Sequence, residues 1–164
     1  MRSAALIFQK IKEMDNFSIL IAGKAGFGID RSGSIIGRLL AGAGRHIYIY
    51  RDYPSIIRGG HTFSIIRASL EKRLACFNKI DFLLALNQDA FDLHKERIKD
   101  TTVIIYDSDI VKIHGCDENN KIAIPISTIV KEENASEIMR NSSIVAAFCQ
   151  DRKSTRLNSS HTIQ

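Results

Sequence analysis

Arg58 stands directly before a glycine pair, Gly59-Gly60, and a histidine, His61. An arginine is a permanent planar cation with a fork of donors. Adjacent glycines let bare backbone N–H groups come close to a bound group. Together they suit a phosphate or carboxylate held by charge-assisted hydrogen bonds. Earlier in the same stretch Tyr53 precedes Pro54, which fixes φ and removes a donor. The stretch from Asp52 to Thr62 is therefore expected to hold a cation and exposed amides against an anion or a partner surface. The bland alternative is an ordered crossover in which Arg58 pairs with Asp52 or with a backbone carbonyl. His61 would need a substrate and an orienting partner to act as a general base. Neither is evident, so it reads as a loop histidine within a hydrogen-bond network.

A second candidate is the loop Gly23-Lys24-Ala25-Gly26-Phe27-Gly28. Glycines between a strand and a helix expose N–H groups at the positive end of the helix dipole, which is a ready anion site. The spacing differs from the dinucleotide order G-x-G-x-x-G and lacks the Gly-Lys-Ser/Thr ending of a P-loop. Gly23, Gly26 and Gly28 could equally form a tight turn where two backbones pack closely. Lys24 could neutralise a phosphate there or simply point into solvent.

Other chemistry is thin. Three cysteines, Cys76, Cys116 and Cys149, lie far apart and read as reduced thiols. Four organised thiolates make a cluster site, so this chain alone is expected to hold none. His46, His94 and His114 are scattered and form no metal-ligand pattern. Tyr48, Tyr50 and Tyr53 read as strand and interface aromatics. No nucleophile–base pair and no paired carboxylates fall at a meaningful spacing, which describes a binding or assembly domain with no catalytic residue of its own.

The elements that must position these loops follow from periodicity. Residues 4–14 suggest a short amphipathic helix with Leu6, Ile7, Ile11 and Met14 on one side. Phe17–Ala22 is a short apolar strand that runs into the glycine loop. Asp30 or Ser32 can cap the helix after it, whose apolar face carries Ile35, Ile36, Leu39, Leu40 and Ala43, and Gly42 and Gly44 end it. His46–Arg51 is a second strand and Thr62–Ser69 a third. Asp81–Leu86 is a further strand, with Asn87 capping a helix through Ile98. Val103–Tyr106 follows, then a short strand pair at Ile110–Ile113 and Lys121–Ile126. Ser127 can cap a helix over Ile129–Arg140, and another spans Ile144–Cys149. Alternating strands and helices predict an α/β fold, a three-layer α/β/α sandwich around a mostly parallel sheet. No helix separates Arg51 from Thr62, so an antiparallel pairing can make the sheet mixed.

At 164 residues the chain is the length of one domain, with 45% hydrophobic and 25% charged residues. No apolar run is long enough for a membrane span and no signal-peptide core is present, so a cytoplasmic location is expected. The formal charge of +5 is partly carried by the last stretch, Asp151–Gln164, which reads as a non-native, adapter-like tail with three basic residues and one acidic residue. Residues 1–150 then carry +3, from 20 basic and 17 acidic residues. That is too mild to imply nucleic-acid binding. The expected organisation is an N-terminal extension over 1–15, one domain over 16–150, and the tail over 151–164.

Two motifs in the right order carry a family resemblance. Phe17–Gly28, FSILIAGKAGFG, and Tyr50–Ser69, YRDYPSIIRGGHTFSIIRAS, resemble the gamma domain of the 2-oxoacid:acceptor (ferredoxin) oxidoreductases. Met139-Arg140-Asn141 followed by Ser143–Ala147 is similar to the end of such a domain. The Tyr-Pro-Ser-x-Ile-Arg-Gly-Gly-His form is closer to versions fused to the alpha subunit. Phe27 departs from the glutamine that the family usually has there. The resemblance implies that the enzyme oxidatively decarboxylates a 2-oxoacid to an acyl-CoA, using thiamine diphosphate with Mg and iron–sulfur clusters, with ferredoxin as electron acceptor. It implies a non-catalytic domain that packs against alpha and beta parts, with coenzyme A contact as a further expectation. The residues implied in binding or interface are Gly23, Lys24, Gly26, Gly28, Tyr53, Pro54, Arg58, Gly59, Gly60 and His61. Arg58→Ala is then expected to weaken complex assembly or coenzyme A use and leave the fold intact, which assembly and unfolding assays on the variant check. The alternative is a free-standing nucleotide- or phosphate-binding α/β module.

Overall fold

The computed structural model describes residue 7 and residues 10–52, 60–75, 78–136 and 139–149. Among these, β1 (Asn16–Lys24), β2 (His46–Asp52), β3 (His61–Ser69), β4 (Phe82–Ala85), β5 (Val103–Asp107) and β6 (Lys121–Ile124) form one sheet in the order β2-β3-β1-β4-β5-β6. β1 pairs parallel with β4, β4 with β5, and β5 with β6. β3 is antiparallel to both β1 and β2. The sheet is mixed but mostly parallel, as the missing helix between Arg51 and Thr62 suggested.

The alternation of β1 explains two packed faces. Phe17, Ile19 and Ile21 join a core with helix α1 (Ile29–Ala41), helix α3 (Ile126–Glu132) and helix α4 (Met139–Cys149). Leu20 and Ala22 point the other way, towards Ala90 and Phe91 of the short helix α2 (Gln88–Asp92). The second helical layer is thin, but the three-layer arrangement holds. Residues 10–13 are helical, and Ile7, Ile11 and Met14 pack on the α1 side of the core.

Several expected elements differ. Neither Asp30 nor Ser32 caps α1; both lie inside it, and Gly28 is the N-cap with no side-chain bond. The buried face of α1 is Ile29, Ser32, Gly33, Ile36, Gly37 and Leu40, whereas Ile35 is exposed. Small residues face the sheet because helix and strand run close: a Cβ on Gly37 would meet Ile49 Cδ1 at 2.9 Å, and one on Gly33 would meet Ser64 Cβ at 3.0 Å. Gly33→Ala should therefore cost about 1–3 kcal/mol, despite alanine's higher helix propensity, because Ser64 Cβ is fixed to the buried backbone of β3; a urea unfolding midpoint reads it.

The helix capped by Asn87 ends at Asp92 and not at Ile98. Asn87 Oδ1 does accept from Ala90 N, at 3.0 Å. The chain then turns into a 3-10 segment, Lys95–Arg97, which brings His94 inward. Residues 110–113 are not a strand; β6 pairs instead with β5, in parallel. Ser127 is not a cap, since α3 starts at Ile126 after Pro125, and Arg140 belongs to α4. Local pattern misplaced these boundaries because burial against the sheet, not propensity, sets them.

Candidate functional site at the C-terminal sheet edge

Five parallel strands end on one side of the sheet, at Lys24, Asp52, Ala85, Asp107 and Ile124. Ligands of open α/β sheets bind outside these carboxyl ends, where connections diverge. The chain diverges at β1. It leaves through α1 to the β2 side, and β4 to β6 lie on the other side.

The Gly23–Gly28 loop occupies that point. Gly26 and Gly28 have φ of 91° and 78°, in the left-handed region where glycine is tolerated best. Phe27 N donates to Lys24 O at 3.2 Å, closing the turn, and Lys24 Nζ lies 5.8 Å from the centre of the Phe27 ring. The turn aims the first amides of α1 outward with no side chain to cap them. The first-turn carboxylate Asp30 is paired with Arg51, which also donates to Ser34 Oγ at 3.0 Å.

The second candidate loop meets the first at its foot. Lys24 stands opposite His61 in the β1–β3 register, and Ala25 N donates to Gly60 O at 2.7 Å. Gly60 and His61 therefore share the sheet edge with Gly23, Lys24, Gly26 and Gly28. Tyr53, Pro54, Arg58 and Gly59 lie outside the described residues.

Two groups of site residues come from tertiary contact and not from either loop. Asp107, fully buried at the end of β5, accepts from Arg140 Nη2 at 2.6 Å, from Ser127 Oγ at 2.8 Å and from Asp109 N at 3.1 Å. This anchors α4 to the sheet edge. Next to Arg140, Asn141 is 4% exposed, and its Nδ2 has no hydrogen-bond partner among the described residues. It points at the glycine turn: a Cβ on Gly28 would lie 3.4 Å from Asn141 Nδ2. Arg140 Nε is also buried without a partner among the described residues. Buried donors normally find acceptors. An outward helix start, two open glycines and an orphaned amide donor together make a cradle for anionic or carbonyl oxygen. The signal available in the sequence was the polar run Arg140-Asn141-Ser142-Ser143 at the head of a helix that is apolar from Ile144 onward.

The other group is a histidine pair. His61 Nε2 and His94 Nε2 are 2.9 Å apart, although 33 residues separate them in sequence. His94 is buried and pushed down to about 4, chiefly by burial, with His61 and Arg97 adding. His61 is also held below its ordinary value, again chiefly by burial, with Asp89 and Asp52 opposing. Both rings are therefore neutral at pH 7. Their depressed values mean the unfolded chain binds more protons in acid. The stability that His94 contributes is complete above the ordinary 6.5 and is lost as pH falls through about 4. The expected loss for His94 is up to about 3 kcal/mol. Urea midpoints at neutral and acid pH should show it, and His94→Gln should flatten it.

Among the described residues no group of three or more His, Cys, Asp and Glu could hold a metal ion, and no helix is long and apolar enough to cross a membrane.

The family model described as "Pyruvate ferredoxin/flavodoxin oxidoreductase" matches residues 18–160. A 2-oxoacid:ferredoxin oxidoreductase subunit alpha from a Sulfolobus species is 35% identical over 89 residues, covering 54% of this chain and 14% of that protein. The chain thus spans about a seventh of the length of the curated alpha subunits it matches. The 2-oxoglutarate synthase subunit KorC of Archaeoglobus fulgidus is 28% identical over 57% of this chain and 51% of its own length. Among solved structures, a 2-oxoglutarate:ferredoxin oxidoreductase from Magnetococcus marinus, with 2-oxoglutarate, coenzyme A and succinyl-CoA bound, superposes with a TM-score of 0.68 at 26% identity. That superposition covers 87% of this chain and 28% of that one. The gamma subunit of a keto/oxoacid ferredoxin oxidoreductase from Geobacter sulfurreducens shares the fold, with a TM-score of 0.69 at 24% identity over 85% of this chain and 78% of its own.

Proposed function

Because the chain belongs to the pyruvate ferredoxin/flavodoxin oxidoreductase family, we propose that it is the gamma-type domain of a 2-oxoacid:ferredoxin oxidoreductase and catalyses no step by itself. In this reading it packs against the alpha and beta parts of the enzyme. Those parts carry thiamine diphosphate, Mg and the iron–sulfur clusters, and pass electrons from the 2-oxoacid to ferredoxin. The domain presents its cradle to an anionic portion of coenzyme A, the acyl acceptor. Coenzyme A supplies the thiol that takes up the acyl group; the residues here hold and orient its polar end.

The single observation that carries the coenzyme A contact is Asn141 Nδ2, buried, without a partner among the described residues, and aimed at Gly28 where α1 begins. A buried donor left unmade costs about 1–3 kcal/mol, which a ligand oxygen would recover on binding. Phosphate oxygens fit the outward amides of a helix start. Lys24, exposed beside the turn, adds positive charge. The coenzyme A in the Magnetococcus neighbour is that protein's ligand, and it supports the choice of ligand here.

An NMR titration of the chain tests the reading. Coenzyme A should shift the amides of Gly26, Gly28 and Ile29 and the side-chain amide of Asn141. Tighter binding of ATP or NAD than of coenzyme A would instead favour a free-standing nucleotide module. Absence of any shift at these residues would remove the cradle.

A further inference from the structure

We propose that His94 is a positioning residue for the cradle, acting through its hydrogen bond to His61 to pin the seam where the Gly23–Gly28 loop joins the start of β3. The proposal rests on the coenzyme A reading above, and its test separates the two.

The seam is a backbone joint. Lys24 faces His61 across the β1–β3 ladder, and Gly60 O takes the Ala25 N–H at 2.7 Å. Ala25 lies inside the glycine loop, so the position of Gly60 sets where Lys24 and Gly26 sit. Gly60 is held in turn by its neighbour His61, whose side chain leaves the sheet on the face opposite α1. There it meets His94 Nε2 at 2.9 Å.

His94 is a firm anchor. Its ring is 4% exposed and lies edge-on to Phe63, with ring centres 4.6 Å apart at 71°. Its backbone is tied on both sides: His94 N donates to Phe91 O at 3.3 Å, and Arg97 N donates to His94 O at 2.9 Å. The Nδ1 atoms of both histidines are buried without partners among the described residues, so the Nε2 contact is the bond each ring contributes. Two neutral imidazoles share one proton across that contact. One added proton goes to the free Nδ1 of the donor ring and leaves the contact in place; only when both rings are charged do two donors face each other and open it. The charged groups around the pair are Asp52 at the end of β2, Asp89 on α2, Arg97 on the 3-10 turn and Lys24 across the ladder.

The test is hydrogen exchange at the Ala25 amide, with coenzyme A affinity measured alongside. His94→Phe keeps the ring and removes the bond. It should speed Ala25 exchange by about five- to tenfold and weaken coenzyme A binding by a similar factor. His94→Gln, whose amide nitrogen can stand where Nε2 stood, should restore both to within about twofold of wild type. Wild-type Ala25 exchange, corrected for intrinsic rate and for global unfolding, should also rise only below about pH 4, where both rings carry charge, and that rise should vanish in His94→Gln. The acid arm needs no His94→Phe protein, so the proposal stays testable if that variant fails to fold. Unchanged Ala25 protection in folded His94→Phe, or in wild type at low pH, overturns the proposal. Faster Ala25 exchange in His94→Phe, when the wild-type protein takes up no coenzyme A, leaves His94 pinning the seam and removes the ligand reading instead.

Discussion

Asp107→Ala should destabilise the domain by about 3–5 kcal/mol, the largest single effect expected in this chain. Asp107 is fully buried and is the carboxylate partner of Arg140, itself mostly buried. Removing it leaves a guanidinium in the protein interior with no matching charge. It also strips the acceptor from Ser127 Oγ and from Asp109 N, so the ends of β5, α3 and α4 lose their common tie. Asp107→Asn retains the size and one acceptor oxygen but not the charge, and should cost roughly half as much. Urea unfolding with an unchanged m-value would read both as stability changes. A cost under about 1 kcal/mol for Asp107→Ala would mean that α4 is held by its apolar face alone.

Asn141→Leu should move stability and binding in opposite directions. Leucine has a similar volume and carries no donor to leave unpaired, so the free domain should gain about 1 kcal/mol. Coenzyme A affinity should fall by about tenfold or more, because the cradle loses its buried donor and gains an apolar wall beside Gly28. A functional group often costs the free protein stability in this way. If Asn141→Leu destabilises the domain instead, the amide has an internal structural partner and the cradle is not waiting for a ligand. Calorimetric titration with coenzyme A, beside thermal unfolding of the same samples, gives both quantities.

The parts of the site that were legible in the sequence are those whose residue type states its own backbone need. Gly26 and Gly28 sit at positive φ between a strand and a helix, so glycine there was readable as a turn that exposes amides. The stretch between Arg51 and Thr62, whose sequence carries no helical pattern, predicts the antiparallel pairing that β2 and β3 form. The histidine pair and the Asp107–Arg140 pair were not legible, since each joins residues 33 positions apart on different elements. No local pattern specifies such a meeting; it depends on where the 3-10 turn after α2 and the head of α4 come to rest. A helix through Ile98 would carry His94 along it, but the helix stops at Asp92 and the break turns the ring towards His61. Asn141 falls within Met139-Arg140-Asn141, and its type alone gives it no role, because an orphaned donor exists only once the surrounding atoms are in place. β6 was misread as half of a hairpin because four residues alone do not reveal which strand they join.

The central claim is that this domain works inside a thiamine-dependent oxidoreductase. The direct measurement is affinity purification of the natural gene product from its own cells, followed by assay of thiamine diphosphate and iron in the eluate. A 2-oxoacid- and coenzyme A-dependent reduction of a low-potential dye would be measured on the same fraction. The account predicts that thiamine diphosphate, iron and that activity elute together with the tagged chain. Elution of the chain without thiamine diphosphate or dye reduction, but with tightly bound ATP or NAD, would contradict it.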